Sequence, residues 1–268
     1  MKKIFRYTAC IAMVSWLAAC STVPLSGRKQ LSLVSDDQIQ QQAASAYKEF
    51  LGDPSTKVIT GSADAAMVKK VGNRIASAVN QYLQAEGLSN QFNFNWEFNL
   101  VQSADVNAWC MPGGKVAVYT GILPFTGGEE GLATVMGHEI AHAIARHSME
   151  QMSNQYALQI GAQVLGVATS GKSSIVQGLV QNAYGIGGQL MSLKYSRGNE
   201  TEADQLGLMF MAMAGYNPQQ AVSFWERMAG AKSKANKTPE FLSTHPDDAR
   251  RVANLKKLIP QAMRYYKK

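Results

Sequence analysis

Between Glu129 and Ile144 the chain can be little other than an α-helix, and that helix carries His138-Glu-Ile-Ala-His142. Leu132, Val135, Met136, Ile140 and Ile144 recur at the spacing of one helical face. Gly127 and Gly128 break the chain just before it, and Glu129 and Glu130 supply the acidic first turn that a helix start favours. Two histidines four apart on such a helix leave one face about 40° apart, so their imidazoles can hold one Zn²⁺ while Glu139 faces the water that completes the shell. The pattern implies a hydrolytic zinc site.

Catalytic zinc normally takes three protein ligands and keeps one position open. The segment Tyr195-Ser-Arg-Gly-Asn-Glu-Thr-Glu-Ala-Asp204 supplies the third, because Glu200 and Asp204 lie four apart and share a helical face. Glu200 reaches the metal, and Asp204, one turn on, accepts the free N–H of a ligand imidazole and holds its tautomer. Without the histidine pair, the same carboxylates read as a solvated acidic face, and Glu202 is expected to be solvated in either case. On a continuous helix His147 points about 140° away from His142, which makes it structural rather than a ligand.

Further segments accompany these: Asp-Val-Asn-Ala-Trp at 105–109, Pro-Gly-Gly-Lys-Val at 112–116, Tyr-Thr-Gly at 119–121, Ala-Arg-His at 145–147 and Ser-Thr-His-Pro at 243–246. In content and order the set resembles the HtpX and CAAX-prenyl-protease type of gluzincin metallopeptidases, particularly small periplasmic lipoprotein members. The resemblance implies an α+β, mostly α-helical metalloprotease domain with a small mixed β-sheet whose edge strand lies beside the HExxH helix. It makes His138, His142 and Glu200 the ligands of one Zn²⁺ per chain, Glu139 the general base and Asp204 the partner of a ligand imidazole. It also places Asn107, Ala108 and Trp109 on an edge that pairs with extended substrate, since an unpaired strand edge binds peptide backbone whatever its side chains; the alternative is that they only close the sheet.

The step from His245 to Arg251 is similar to the family's HPxxxxR feature. By resemblance His245 sits near the metal, able to fill its open position and hold the enzyme latent, while Arg251 steadies the oxyanion; otherwise His245 is an ordinary surface histidine. The implied substrates are polypeptides, namely misfolded or unassembled envelope proteins, with the outer-membrane protein assembly machinery as a possible partner. Two other classes compete. One is a non-catalytic, zinc-containing binding protein or holdase for unfolded outer-membrane proteins, and the other a zinc-dependent esterase or amidase.

The first residues follow a different logic. Lys2, Lys3 and Arg6 precede the apolar stretch Ala9 to Trp16, and Leu17-Ala-Ala-Cys20 resembles a lipobox, after which Cys20 becomes the lipidated N-terminus. The apolar stretch is short for a membrane span, which needs about 20 residues. The expected organisation is a lipoprotein signal peptide at 1–19, lipidated Cys20 and a tether to residue 35, and a metallopeptidase domain at 36–268. Ser21, by resemblance to sorting in diderm bacteria, points to the outer membrane, with the domain facing the periplasm. Signal removal takes away three basic and no acidic side chains, so the formal charge falls from +7 to +4, which gives no support to nucleic-acid binding. It also leaves Cys110 as the one thiol besides Cys20, expected to be a packing residue and not a nucleophile.

Within 36–268, Ile39, Ala43, Ala46 and Phe50 predict one helix, and Ser62 followed by Val68, Val71, Ile75, Val79 and Tyr82 a second. Phe92, Phe94, Trp96 and Phe98 alternate with asparagines and predict a strand; Asn107–Met111 and Lys115–Thr120 predict two more, joined at Pro112-Gly113-Gly114. Residues 155–193 read as an apolar helical hairpin turning at Thr169 to Ser174. Gln159, Gln163, Lys172, Gln177 and Gln181 interrupt any run long enough to cross a membrane.

Overall fold

In the computed structural model, which describes residues 20–170, 190, 193–234, 239–245 and 250–267, the chain opens on a two-stranded hairpin. It pairs β1 (Cys20–Thr22) with β2 (Lys29–Leu31). Helix α1 (Asp36–Gly52) is capped by Ser35, whose side chain accepts from the Gln38 N–H. After β3 (Val58–Ile59), Ser62 caps α2 (Ala63–Ala85) in the same way. Strands β4 (Glu97–Val101), β5 (Ala108–Met111) and β6 (Lys115–Tyr119) complete the sheet. The short α3 (Leu123–Thr126) leads into α4 (Glu129–Ile144) and α5 (His147–Ser170). Then come α6 (Arg197–Met213), α7 (Gln220–Lys234), the five-residue α8 (Glu240–Thr244) and α9 (Arg251–Ala262).

The sheet order is β3-β4-β6-β5, with β4 and β6 parallel and both outer pairs antiparallel, so β5 is an edge strand, and it packs against α4. The architecture is therefore the mostly helical α+β fold with a small mixed sheet that the family resemblance implies. Side chains alternate across β5: Ala108 and Cys110 enter the core shared with α2, α4 and α6, whereas Trp109 and Met111 enter a second core with Ile39, Ala43 and Tyr47 of α1. Tyr47 fixes α1 to the sheet by donating to the Val116 carbonyl at 2.9 Å.

Three expectations change. The aromatic alternation from Phe92 becomes strand only at Glu97, because β6 begins at Lys115 and earlier residues meet the Gly113-Gly114 turn instead of a strand. That turn accepts two bonds, from Asn95 N–H to Gly113 and from Glu97 N–H to Gly114, while the four rings stack in succession. Second, the segment read as a tether folds onto the domain, with Val23 fully buried in the main core and Gln30 3% exposed. Third, α4 does not run on into His147: it ends at Ile144, and Arg146 takes φ 56°, a left-handed conformation uncommon for a residue with a Cβ. An ion pair to Asp36 at 2.6 Å and a bond to the Gln91 carbonyl at 2.7 Å hold Arg146 there.

Residues 1–19, Pro246 and the second arm of the expected hairpin at 171–189 lie outside the described residues. Among the described residues no helix is long and apolar enough to cross a membrane.

Candidate metal centre

The site begins where α4 and α6 cross. Both helices carry glycine at the contact, and the approach needs it: a Cβ on Gly137 would lie 2.9 Å from the Gly207 carbonyl oxygen, and one on Gly207 would lie 2.9 Å from the His138 amide nitrogen. With backbones this close, residues one and two turns before Gly207 reach across to α4. The start of α6 is held by a capping box between Ser196 and Asn199.

Four side chains, His138, His142, Glu200 and His245, bring one donor atom each to within 4.8 Å of one another, and all are buried. His138 Nε2 lies 3.0 Å from His142 Nε2, 3.4 Å from Glu200 Oε2 and 3.2 Å from His245 Nδ1. Glu200 Oε1 lies 3.4 Å from His142 Nε2 and 3.1 Å from His245 Nδ1. Ring nitrogens and a carboxylate facing inward cannot all satisfy one another, but a cation accepts them all. Tetrahedral Zn²⁺ with ligands at about 2.0–2.1 Å separates its donors by about 3.3 Å, and the donor set and spacing fit that ion.

The expected partner is in place: Asp204 Oδ1 lies 3.0 Å from His138 Nδ1, and it also accepts from Arg251 Nη2 at 2.6 Å. Arg251 donates through Nη1 to Glu200 Oε2 at 2.9 Å, and its guanidinium lies 3.5 Å from the centre of the Trp225 ring. This differs from support of an oxyanion, because both terminal nitrogens are engaged with carboxylates of α6, one of them the donor Glu200 and the other Asp204, the partner of His138. Glu139, the next residue on α4, is 3% exposed, and its Oε1 lies 3.3 Å from His245 Nε2.

Electrostatics sort these groups. Burial pushes the Glu139 carboxyl up to about 7, with Glu200 adding to the rise and His245, Arg251 and the Cys110 backbone N–H opposing it. Burial also tends to raise Glu200 and Asp204, yet His245 and the two motif histidines hold Glu200 far below the usual carboxylate range, and Arg251 with His138 lowers Asp204. His142 is driven well below the ordinary imidazole value by burial, so it stays neutral, as a metal ligand must.

The substrate-edge expectation needs correction. Tyr119 N–H donates to the Asn107 carbonyl, so residues 107, 109 and 111 direct their backbone groups toward β6, and Ala108 and Cys110 direct theirs outward. The outward groups are therefore those of Ala108 and Cys110 and not of Trp109, whose ring packs edge-on against Tyr47 and Phe50 in the second core. Part of this edge is taken. Phe241 N–H of α8 donates to the Val106 carbonyl at 2.9 Å, and the Asn107 side chain accepts from the Ala108 N–H at 2.9 Å.

Other residues join the site that the sequence reading either did not single out, as with Tyr195 and Phe241, or placed away from it, as with His147 and Glu202. The Tyr195 ring stacks on His142 with centroids 4.0 Å apart and its hydroxyl meets Ser148 Oγ at 3.0 Å. Phe241 stacks on Trp225 and packs against His245. His147 is fully buried with Nδ1 2.8 Å from His142 Nδ1, and Glu202, expected in solvent, pairs with both His147 and Arg28 because the folded N-terminal hairpin covers it.

Comparison with known proteins agrees with this geometry. Residues 64–259 match the model of Peptidase family M48. The mitochondrial metalloendopeptidase OMA1 of Schizosaccharomyces pombe is 34% identical over 241 residues, covering 90% of this chain and 66% of that protein. The β-barrel assembly-enhancing protease of Yersinia pestis is 31% identical over 189 residues, covering 65% of this chain and 38% of that protein. Metalloprotease YcaL of Escherichia coli is 28% identical over 249 residues, covering 90% of this chain and 94% of that protein. The chain thus spans less than two thirds of the first two relatives.

Proposed function

The chain belongs to peptidase family M48, and from that premise we propose that it is a periplasmic zinc endopeptidase, anchored to the outer membrane through Cys20, that cleaves misfolded or unassembled envelope proteins. The observation that carries the activity is the buried cluster of His138, His142, Glu200 and His245 with Glu139 beside it. Zinc held by these residues supplies a Lewis acid that lowers the pKa of water and polarises a carbonyl. Glu139, raised to about 7, takes the proton of the attacking water and returns it to the leaving amine. Asp204 keeps His138 in the tautomer that leaves Nε2 free to bind, and Arg251, set against Glu200 and Asp204, is a positioning residue. The outward carbonyls of Ala108 and Cys110 receive the substrate backbone, since the Ala108 N–H is held by the Asn107 side chain and the Cys110 N–H faces Glu139.

His245 completes a latent state. It stands between the other donors and Glu139, while α8 occupies the Val106 end of the strand edge. Activation then requires the 239–245 segment to move aside. That same observation favours the second reading, a zinc-containing binding protein for unfolded chains that does not turn over.

The lipoprotein reading rests on Leu17-Ala-Ala-Cys20, kinship with the small lipoprotein members of the HtpX type rests on the order of the motif segments, and likeness to the β-barrel assembly-enhancing protease motivates a link to barrel assembly. Purified protein incubated with casein or an unfolded barrel protein, with and without a zinc chelator, tests the activity. Chelator-sensitive cleavage supports the peptidase, and capture without cleavage, even after His245→Ala, replaces it with the binding protein.

A further inference from the structure

The two motif histidines end on carboxylates by different routes. His138 Nδ1 meets Asp204 directly. His142 Nδ1 faces another imidazole, His147 Nδ1 at 2.8 Å, and only His147 Nε2 reaches a carboxylate, Glu202 Oε2 at 3.1 Å. Glu202 Oε2 accepts in turn from Arg28 Nε at 2.6 Å. We infer that His147, Glu202 and Arg28 form a positioning relay that fixes the tautomer and ring orientation of His142 and ties the N-terminal hairpin to the metal centre. The inference rests on the reading of His142 as a zinc ligand.

The proton assignment along the relay has one solution. His142 Nε2 sits among the donor atoms, so as a ligand it carries no proton, and its proton resides on Nδ1. That N–H points at His147 Nδ1, which must accept, so the His147 proton lies on Nε2. There it points at Glu202, whose charge Arg28 balances. No step offers an alternative that keeps every contact, so one rotamer and one tautomer of His142 are selected. The Tyr195 ring stacked on His142 fixes the plane of the imidazole but not its rotation within that plane, which the relay supplies.

Arg28 does more than neutralise Glu202. Its Nη1 donates to Glu150 at 2.7 Å, and its Nη2 to the Ala145 carbonyl at 3.3 Å and to Gln30 Oε1 at 3.2 Å. Glu150 also accepts from Asn199 Nδ2, a member of the cap of α6. One guanidinium therefore clasps the end of α4, the first turns of α5 and the start of α6. These segments carry or adjoin His142, His147 and Glu200. The hairpin that presents exposed Cys20 is mechanically part of the support of the metal site.

The test is zinc affinity by competition with a chromophoric chelator, read beside the visible spectrum of the cobalt-substituted protein. His147→Phe keeps the ring volume without the acceptor and is expected to weaken zinc by roughly 10–100-fold and to shift the cobalt bands. His147→Asn places a carbonyl oxygen where Nδ1 was and is expected to recover most of the affinity, although it fills less space. Arg28→Ala, outside the core, is expected to weaken zinc several-fold. Asn no better than Phe would mean that His147 only fills volume, and would overturn the relay. So would wild-type affinity and spectrum in the Phe variant or, if that variant does not fold, in Arg28→Ala. Zinc binding by the wild type that survives His142→Ala would instead overturn the ligand reading on which the relay stands.

Discussion

His245 Nε2 lies 3.3 Å from Glu139 Oε1 while the opposite nitrogen of the same ring lies 3.2 Å from His138 Nε2 and 3.1 Å from Glu200 Oε1. One imidazole thus stands where a water would have to lie, between the ligand atoms and the base. The contact ties the residue that ends α8 to the motif helix α4.

Removing that ring should open the site. His245→Ala is expected to raise casein cleavage and self-cleavage relative to wild type, with one fewer nitrogen neighbour in zinc X-ray absorption. Unchanged coordination together with unchanged cleavage would return His245 to a packing role.

Glu139→Gln should separate catalysis from stability. Hydrolysis is expected to fall by on the order of 10² or more while zinc is retained. Stability should move the other way. The folded-state value of about 7 stands above the ordinary 4.5, so the wild-type carboxyl favours the fold when protonated, and that favour is lost as pH rises from 4.5 through 7. In metal-free protein above about pH 7, the neutral Gln should therefore be more stable, by up to about 3 kcal/mol from the 1.36 kcal/mol per pKa unit. Denaturant unfolding of both forms in chelator at pH 5 and pH 8 checks it. A gap that does not widen at pH 8 contradicts the assignment.

Arg251→Ala is expected to damage the fold more than the chemical step. The substitution strands Glu200 and Asp204 as buried carboxylates without their cation and empties the space over Trp225. Breaking a buried ion pair from one side costs on the order of 3–5 kcal/mol. Thermal unfolding in chelator should show the loss even without zinc, whereas a group that only supported an oxyanion would leave metal-free stability unchanged.

Gly207→Ala should spread the α4–α6 crossing. The added methyl would meet the backbone at His138 and Gly137, and backbone cannot rotate away as a side chain can. Overpacking of this kind costs about 1–3 kcal/mol. Because Glu200 and Asp204 ride on the same helix, zinc affinity should fall with stability, whereas Gly230→Ala on α7, with open space around it, should leave zinc affinity unchanged and raise stability by up to about 1 kcal/mol through helix propensity. Equal zinc affinity in the two variants would separate the crossing from the site.

What the amino-acid sequence determined by itself was local. Helical periodicity placed His138, Glu139 and His142 on α4, and the four-residue step placed Glu200 and Asp204 on one face of α6, because such relations are set by hydrogen bonds within a turn or two. The Ser62 cap and the Gly113-Gly114 turn were legible for the same reason, whereas Ser35, read as the end of a tether, proved to cap α1. Residues 243–251 were drawn toward the site by family resemblance, not by anything local.

Tertiary structure decided the rest. Extrapolating the helix beyond Ile144 sent His147 away from His142, but the helix ends there because Arg146 adopts a left-handed conformation paired with Asp36 from α1, a contact more than a hundred residues away in the chain. Glu202 read as solvated until Arg28 folded over it. Trp109 read as a substrate contact until the register of β5 on β6 assigned the outward backbone groups to Ala108 and Cys110. The proximity that lets Glu200 reach the motif histidines depends on two glycines, Gly137 and Gly207, whose role appears only when two helices meet. Periodicity is carried by neighbours in sequence. The partners of a buried charge, the facing of a strand edge and the approach of two helices are set by residues that only folding brings together.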